Sequence, residues 1–194
     1  MGKLTVVLAS LLFIAGCGSA PYKTQYTFNS DVISSIQPST KQKPYSITVS
    51  DVKSFGTGAN KDMTYTRNAN VIEAYTKSAW VEPPIYLMKV ALADALIASN
   101  AYQDVLMAPT SIQSPYKVDA TIQKMQQRFV DGQSTIDLSL MVRLVNSTTH
   151  QLVFSKIYST TETATSQDAA GGVEAYNRAL ARLLPDIVRD ITRH

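Results

Sequence analysis

The sequence predicts an α+β fold, and three observations lead to it. Ile136, Leu138, Leu140, Val142 and Leu144 alternate with Thr135, Asp137, Ser139, Met141 and Arg143, the period of a strand with one buried face. Behind the adjacent prolines Pro83 and Pro84, the residues Ile85, Met88, Ala91, Leu92, Ala95 and Leu96 recur at helical spacing. A second helical stripe closes the chain: Val173, Tyr176, Leu180, Leu183, Leu184, Ile187 and Ile191.

The elements follow in order. Lys3 and the apolar run Leu4–Ala15 have the make-up of a secretory leader. The run is too short for a transmembrane helix, which needs about 20 apolar residues. It ends in "IAGC", which resembles a bacterial lipobox, so cleavage before Cys17 would leave a lipid-modified first residue. Cys17 is the only cysteine, which rules out an intramolecular disulfide. Gly18 follows it, where an aspartate would resemble the inner-membrane retention signal, so the expected destination is the outer membrane. The chain then divides into a signal peptide, 1–16, a lipidated N-terminus and tether, 17–30, and one α+β periplasmic domain, 31–194.

Tyr22–Phe28 reads as a first strand, and the polar, proline-bearing stretch Ser34–Pro44 as a loop. Tyr45–Val52 alternates like a half-buried strand, and Gly56 and Gly58 turn the chain. "MTYTR" and "NVIEAY" are short strands, the helix runs from Pro84 to about Ser99, and a strand follows at Gln103–Met107. Strand, helix, strand is the pattern of a crossover unit. Lys117–Val130 and Gln133–Val145 flank the tight turn "DGQ", and "QLVFSKIYST" returns as the third strand of an antiparallel meander. "TETATSQDAAGG" is a small-residue connection, and Pro185 should kink or break the last helix near Leu184.

The stretch "YTKSAWVEPPIYLM" holds the single tryptophan. Proline suits the first helical turn and pushes its predecessor out of α geometry. The chain should therefore be extended to Glu82 or Pro83 and helical beyond, with Glu82 near the positive end of the helix dipole. Two readings stand side by side for Tyr75, Trp80, Glu82, Pro83 and Pro84. They form a stiff structural corner with Trp80 as its packing, or part of an exposed surface for a partner.

Catalytic chemistry is sparse. The two histidines, His150 and His194, fall in a turn and at the last position, which gives neither a metal site nor a Ser-His-Asp arrangement. Nucleophile-elbow, phosphate-loop and dinucleotide motifs are missing. Asp62, Glu73, Glu82, Asp94 and Asp104 sit on different predicted elements and read as solvated charges. With 18 Lys and Arg against 15 Asp and Glu, the chain lacks the basic footprint of a nucleic-acid binder. Neither an enzyme nor a cofactor is expected.

A tyrosine, then "W-x-E-P-P", then an amphipathic helix and a strand resembles the ABC-type transport auxiliary lipoproteins, the PqiC-like partners of MCE-domain systems. The matching residues are Tyr75, Trp80, Glu82, Pro83, Pro84, Leu87, Leu92, Leu96 and Val105. The lipobox, "ITVSDV", "MTYTRNANVIEAY", the meander and the closing helix fit the same layout. The resemblance implies a mostly antiparallel sheet with two main helices on one face, similar to the N-terminal domain of TolB. It implies a non-catalytic protein anchored in the outer membrane, with an MCE-domain protein and ABC transporter components as partners, and it allows a homo-oligomeric ring. The rivals are a structural lipoprotein of an export machine (a polysaccharide exporter or a secretin pilot), a lipid carrier with an apolar cavity, and an envelope hydrolase.

Overall fold

The computed structural model describes residues 22–194; the leader, the lipobox and Cys17 lie outside them. The elements are β1 (Thr24–Tyr26), a 3₁₀ turn (Ser30–Ile33), β2 (Ile47–Val49), β3 (Lys53–Ser54), β4 (Asp62–Asn68), β5 (Val71–Trp80), α1 (Pro84–Ala98), β6 (Val105–Met107), β7 (Tyr116–Val130), β8 (Gln133–Asn146), β9 (Leu152–Thr163) and α2 (Ala169–Thr192). β1 falls inside the stretch expected as a tether and pairs with β5 from Thr24↔Ser78 to Tyr26↔Trp80.

β7 is the spine of the sheet. One edge pairs along its whole length with β8 in antiparallel register, from Tyr116↔Asn146 to Val130↔Gln133. The other edge carries β2, β3 and β4 in succession, all parallel to it. β8 pairs onward with β9, β2 with β6, and β4 with β5 and so to β1. The sheet is therefore mixed, and antiparallel over most of its paired length. The Asp131–Gly132 turn has φ of 50° and 76°, the left-handed geometry a two-residue hairpin loop requires and glycine tolerates best.

An irregularity in β7 fixes which side chains meet the helices. Ile122 pairs with Leu140 but Lys124 pairs with Ser139, so Gln123 is an extra residue. The insertion shifts the two-residue period by one. Val118, Ala120 and Ile122 before it, and Met125 and Gln127 after it, thus all lie on the buried side with Ile136, Leu138 and Leu140. The two helices cover that same side and touch each other, and among the described residues no helix covers the opposite side.

Three expectations need correction. β5 runs antiparallel to β4, whereas β4, β7, β2 and β6 run alike. The strand before α1 is thus antiparallel to the strand after it, and no parallel crossover forms. The connection "TETATSQDAAGG" is shorter than its composition suggests, because β9 extends to Thr163 and α2 begins at Ala169. Pro185 does not end α2, which is continuous from Ala169 to Thr192. The missing Pro185 amide would have bonded the carbonyl of Ala181; the Ser35 hydroxyl donates to that oxygen instead, at 3.1 Å.

α1 is buried on more than the expected stripe, since Leu87, Ala93 and Lys89 join Met88, Ala91, Leu92, Ala95 and Leu96. It is enclosed by β2, β6, α2 and the 3₁₀ turn. Lys89 is tolerated there because its ammonium donates to Asp51 Oδ1 at 2.7 Å and to the Ala108 carbonyl. α2 clamps the edge strand β9: Lys156 and Tyr158 donate to Asp190 Oδ2 at 2.6 and 2.9 Å, and Arg182 pairs with Glu162 at 3.0 Å.

Candidate functional site

The corner starts where β5 ends. The Trp80 amide donates to the Lys61 carbonyl at 2.8 Å, and the Val81 amide donates to the Tyr26 carbonyl at 2.8 Å. Pro83 is extended (φ −51°, ψ 136°) and precedes the first helical residue, Pro84, as proline's fixed φ and missing donor favour. The Ile85 amide has no intrahelical acceptor and donates to the Gly58 carbonyl at 3.1 Å. Gly58 has φ +119°, a conformation open to glycine and costly for other residues.

Trp80 is 3 % exposed. Its ring sits edge-on between Phe28 at 5.5 Å and Tyr176 of α2 at 5.9 Å, a geometry that suits aromatic quadrupoles. Leu87, Leu92 and Leu96 are buried and Val105 is partly buried. Glu82 lies at the surface and pairs with Lys61 at 3.3 Å, which ties the corner to the turn before β4. Trp80, Pro83 and Pro84 thus gather at the base of α1 with Glu82 on the outside.

Tyr75 belongs to a different neighbourhood. An odd separation would place Tyr75 and Trp80 on opposite faces of a regular strand. The pairs Asp62↔Ala79 and Thr64↔Ala74 show extra residues in β5 between them, and both rings end on the helix side. Tyr75 donates to Gln127 Oε1 at 3.1 Å, and Gln127 Nε2 donates to Ser134 Oγ at 2.7 Å and the Asp168 carbonyl at 2.9 Å. Burial and the neighbouring Tyr65 push the Tyr75 phenol well above the ordinary tyrosine range. Gly172 packs flat on this amide, since a Cβ there would lie 2.4 Å from Gln127 Oε1. Asp168 caps α2 by accepting from the Gly171 amide at 2.9 Å.

The remaining sequence candidates stay apart. Asp62 pairs with Lys23 at 3.7 Å, Asp104 accepts from the Val105 amide at 2.8 Å, and Glu73 accepts from Tyr65 at 3.0 Å. Burial raises the Asp94 carboxyl, on the rim of a groove of about 280 Å³ between α1 and the 3₁₀ turn. His150 sits in the turn before β9 with φ 59°, and His194 stacks 5.3 Å from Phe154. Among the described residues no three His, Cys, Asp or Glu side chains gather as metal ligands, and no helix is long and apolar enough to cross a membrane.

Sequence reasoning missed a cleft of about 510 Å³ beside the start of α2, lined by Tyr65, Arg67, Tyr75, Phe129, Gly132 and Gln167 among others. Tyr65, Tyr75 and Phe129 come from three strands, and only the lateral pairing brings them together. The interior is closed by comparison: the void among Met63, Trp80, Met125 and Tyr176 is about 10 Å³, room for one water at most.

Several solved structures share this architecture. Protein XCC0632 from Xanthomonas campestris has 15% sequence identity and a TM-score of 0.70, over 88% of this chain and 93% of its own. An uncharacterized protein has 15% identity and a TM-score of 0.64, over 88% and 99%. The hypothetical protein CT253 from Chlamydia trachomatis has 11% identity and a TM-score of 0.51, over 77% and 96%. At such identities the likeness is one of fold. No curated protein matches the chain by sequence. The family described as "ABC-type transport auxiliary lipoprotein component" matches residues 26–188, which takes in the corner, the spine strand, the meander and nearly all of α2. The chain belongs to the ABC-type transport auxiliary lipoprotein family.

Proposed function

We propose that the protein is a non-catalytic periplasmic component of an ABC/MCE-type lipid transport system, anchored in the outer membrane through Cys17. The family match over residues 26–188 carries this reading, and the lipobox ending at Cys17 supplies the anchor. Several acyl chains at ~0.8 kcal/mol per buried methylene hold a protein where a single chain would not.

The packing favours an adaptor over a carrier. A lipid carrier needs an enclosed apolar chamber of several hundred cubic ångströms, whereas the void beside Trp80 is about 10 Å³ and the apolar groove between α1 and the 3₁₀ turn is about 280 Å³. The larger clefts, about 550 and 510 Å³, are lined largely by polar or aromatic side chains. On this reading Trp80, Pro83 and Pro84 are a structural corner that fixes α1, with Glu82 as its outer tie. Among the described residues β9 leaves a long unpaired sheet edge, which suits assembly of several copies into a ring.

Co-elution tests the proposal. Detergent-extracted lipoprotein mixed with its MCE-domain protein should leave a sizing column as one complex. Separate elution, with co-elution instead with an export or secretin component, would transfer the protein to an export machine. Lipid extracted from the purified Cys17→Ser protein should be below one molecule per chain, and a stoichiometric yield would restore the carrier reading.

A further inference from the structure

We propose that the cleft floored by Tyr65, Tyr75 and Phe129 binds a pyranose ring of an uncharged glycan. The three rings form one aromatic cluster, tilted and edge-to-face: the Tyr65 and Tyr75 centroids are 4.6 Å apart at 52°, and Tyr65 and Phe129 are 5.4 Å apart at 86°. The cleft lies where the helix side of the sheet runs past the N-terminus of α2 and loses its cover. Its volume, about 510 Å³, falls within the ordinary range for small-ligand sites, about 300–1,000 Å³.

The chemistry of the lining narrows the ligand. Both phenols are already committed within the protein, Tyr65 donating to Glu73 Oε2 at 3.0 Å and Tyr75 to Gln127 Oε1 at 3.1 Å. The floor therefore offers aromatic faces and edges rather than hydroxyl groups. The Arg67 guanidinium lies 5.1 Å from the Tyr65 ring centre and 3.6 Å from Glu73 Oε2. Its charge is balanced there, so the cleft is not built for an anion. Leucine, isoleucine and valine are missing from the lining, which argues against an acyl chain. A saccharide ring fits what is left. Its C–H face is electropositive and suits the negative face of an aromatic ring. Its equatorial hydroxyls can meet Arg67, Thr76 and Gln167 at the walls.

The cleft of about 550 Å³ near Lys117 offers a contrast, because its hydroxyl-rich lining has no aromatic floor. Tyrosine and arginine also make protein hot spots, but such anchors insert into pockets, whereas here they form the pocket.

The test is saturation-transfer NMR on the full lipoprotein, held in a detergent without a sugar headgroup, with chitotetraose and maltotetraose as probes. At least one tetrasaccharide should bind saturably through its ring protons. Preference for chitotetraose would point to an N-acetylated amino-sugar polymer, and preference for maltotetraose to a glucose-type chain; both support the site. Tyr65→Ala should weaken binding about tenfold, the scale of losing one stacked ring. Tyr65→Phe should leave binding within about twofold, because the lost hydroxyl faces Glu73. The exposed Arg67→Gln, which leaves the core untouched, decides the matter if Tyr65→Ala fails to fold, and should weaken binding severalfold. Failure of both probes to bind, or binding indifferent to the Tyr65→Ala and Arg67→Gln changes, would overturn the proposal. Protection of Tyr65 and Phe129 by a co-purifying protein without saccharide binding would replace it with a protein contact.

Discussion

Trp80 shows how one side chain can hold two elements. Its ring bridges Phe28, just beyond β1, and Tyr176 on α2, and it is almost fully buried. Trp80→Ala should lower unfolding stability by ~3–5 kcal/mol, as large aromatic truncations in cores do, read from urea denaturation. Gly172→Ala should cost ~1–3 kcal/mol, because the new methyl collides with Gln127 and breaks its bonds to Ser134 and Asp168. The carboxylates set the acid limit. Hydrogen bonds from the Gly171 amide and Ser166 hold Asp168 below the usual carboxylate range. Lys156, against the opposing effect of burial, does the same for Asp190. Burial alone would raise Asp137, but Lys124, Thr161 and Arg128 outweigh it and lower it. The unfolded chain, with aspartates near ~3.9, binds these protons more readily than the native state. The contribution is therefore complete above about pH 5 and is lost as pH falls through the lower native values. The urea midpoint should drop across that window, and Asp168→Asn, which still caps the helix but carries no charge, should lower the neutral midpoint somewhat and flatten the acid drop, because the loss that protonation causes is then already present at pH 7. The Trp80–Pro84 corner was legible in the sequence, because proline stereochemistry acts locally. The place of Tyr75 was not, because it depends on extra residues in β5 that alternation cannot reveal.

Among the elements, α2 departs most from its local sequence. Pro185 removes a helical hydrogen bond, and Ser35, from the loop after the 3₁₀ turn, serves the freed Ala181 carbonyl. Ser35→Ala should therefore cost about 0.5–1 kcal/mol in the native chain. In a Pro185→Ala background it should cost nearly nothing, since the restored amide would take the same oxygen. A double-mutant cycle of urea midpoints measures that difference, and equal costs in both backgrounds would sink the explanation. β8 was readable from sequence because its helix-facing residues are buried while those of the other face, Asp137 apart, stay partly exposed. β9 was only partly readable: clamped to α2 by Lys156, Tyr158 and Glu162, it is polar on both faces beyond Tyr158, so its last residues look like linker. The bulge at Gln123 hid the common face of β7 in the same way. α1 showed only part of its buried surface, because the 3₁₀ turn and α2 enclose it from directions that periodicity does not report.

Among the described residues the molecule is one sheet with two helices on a single side, an aromatic cleft near the start of α2 and a long edge strand, β9. Membership of the auxiliary lipoprotein family supplies the transport context, and the proposed attachment is Cys17. Cys17→Ser should leave an unlipidated precursor that fails to fractionate with the outer membrane; normal fractionation of that variant would contradict the anchor. The most direct test of the account is crosslinking in intact cells, followed by purification of the lipoprotein and identification of what is attached to it by mass spectrometry. The account predicts recovery of an MCE-domain protein together with an ABC permease or ATPase. Recovery of polysaccharide-export or secretin components without them would leave the fold and the anchor in place and contradict the function.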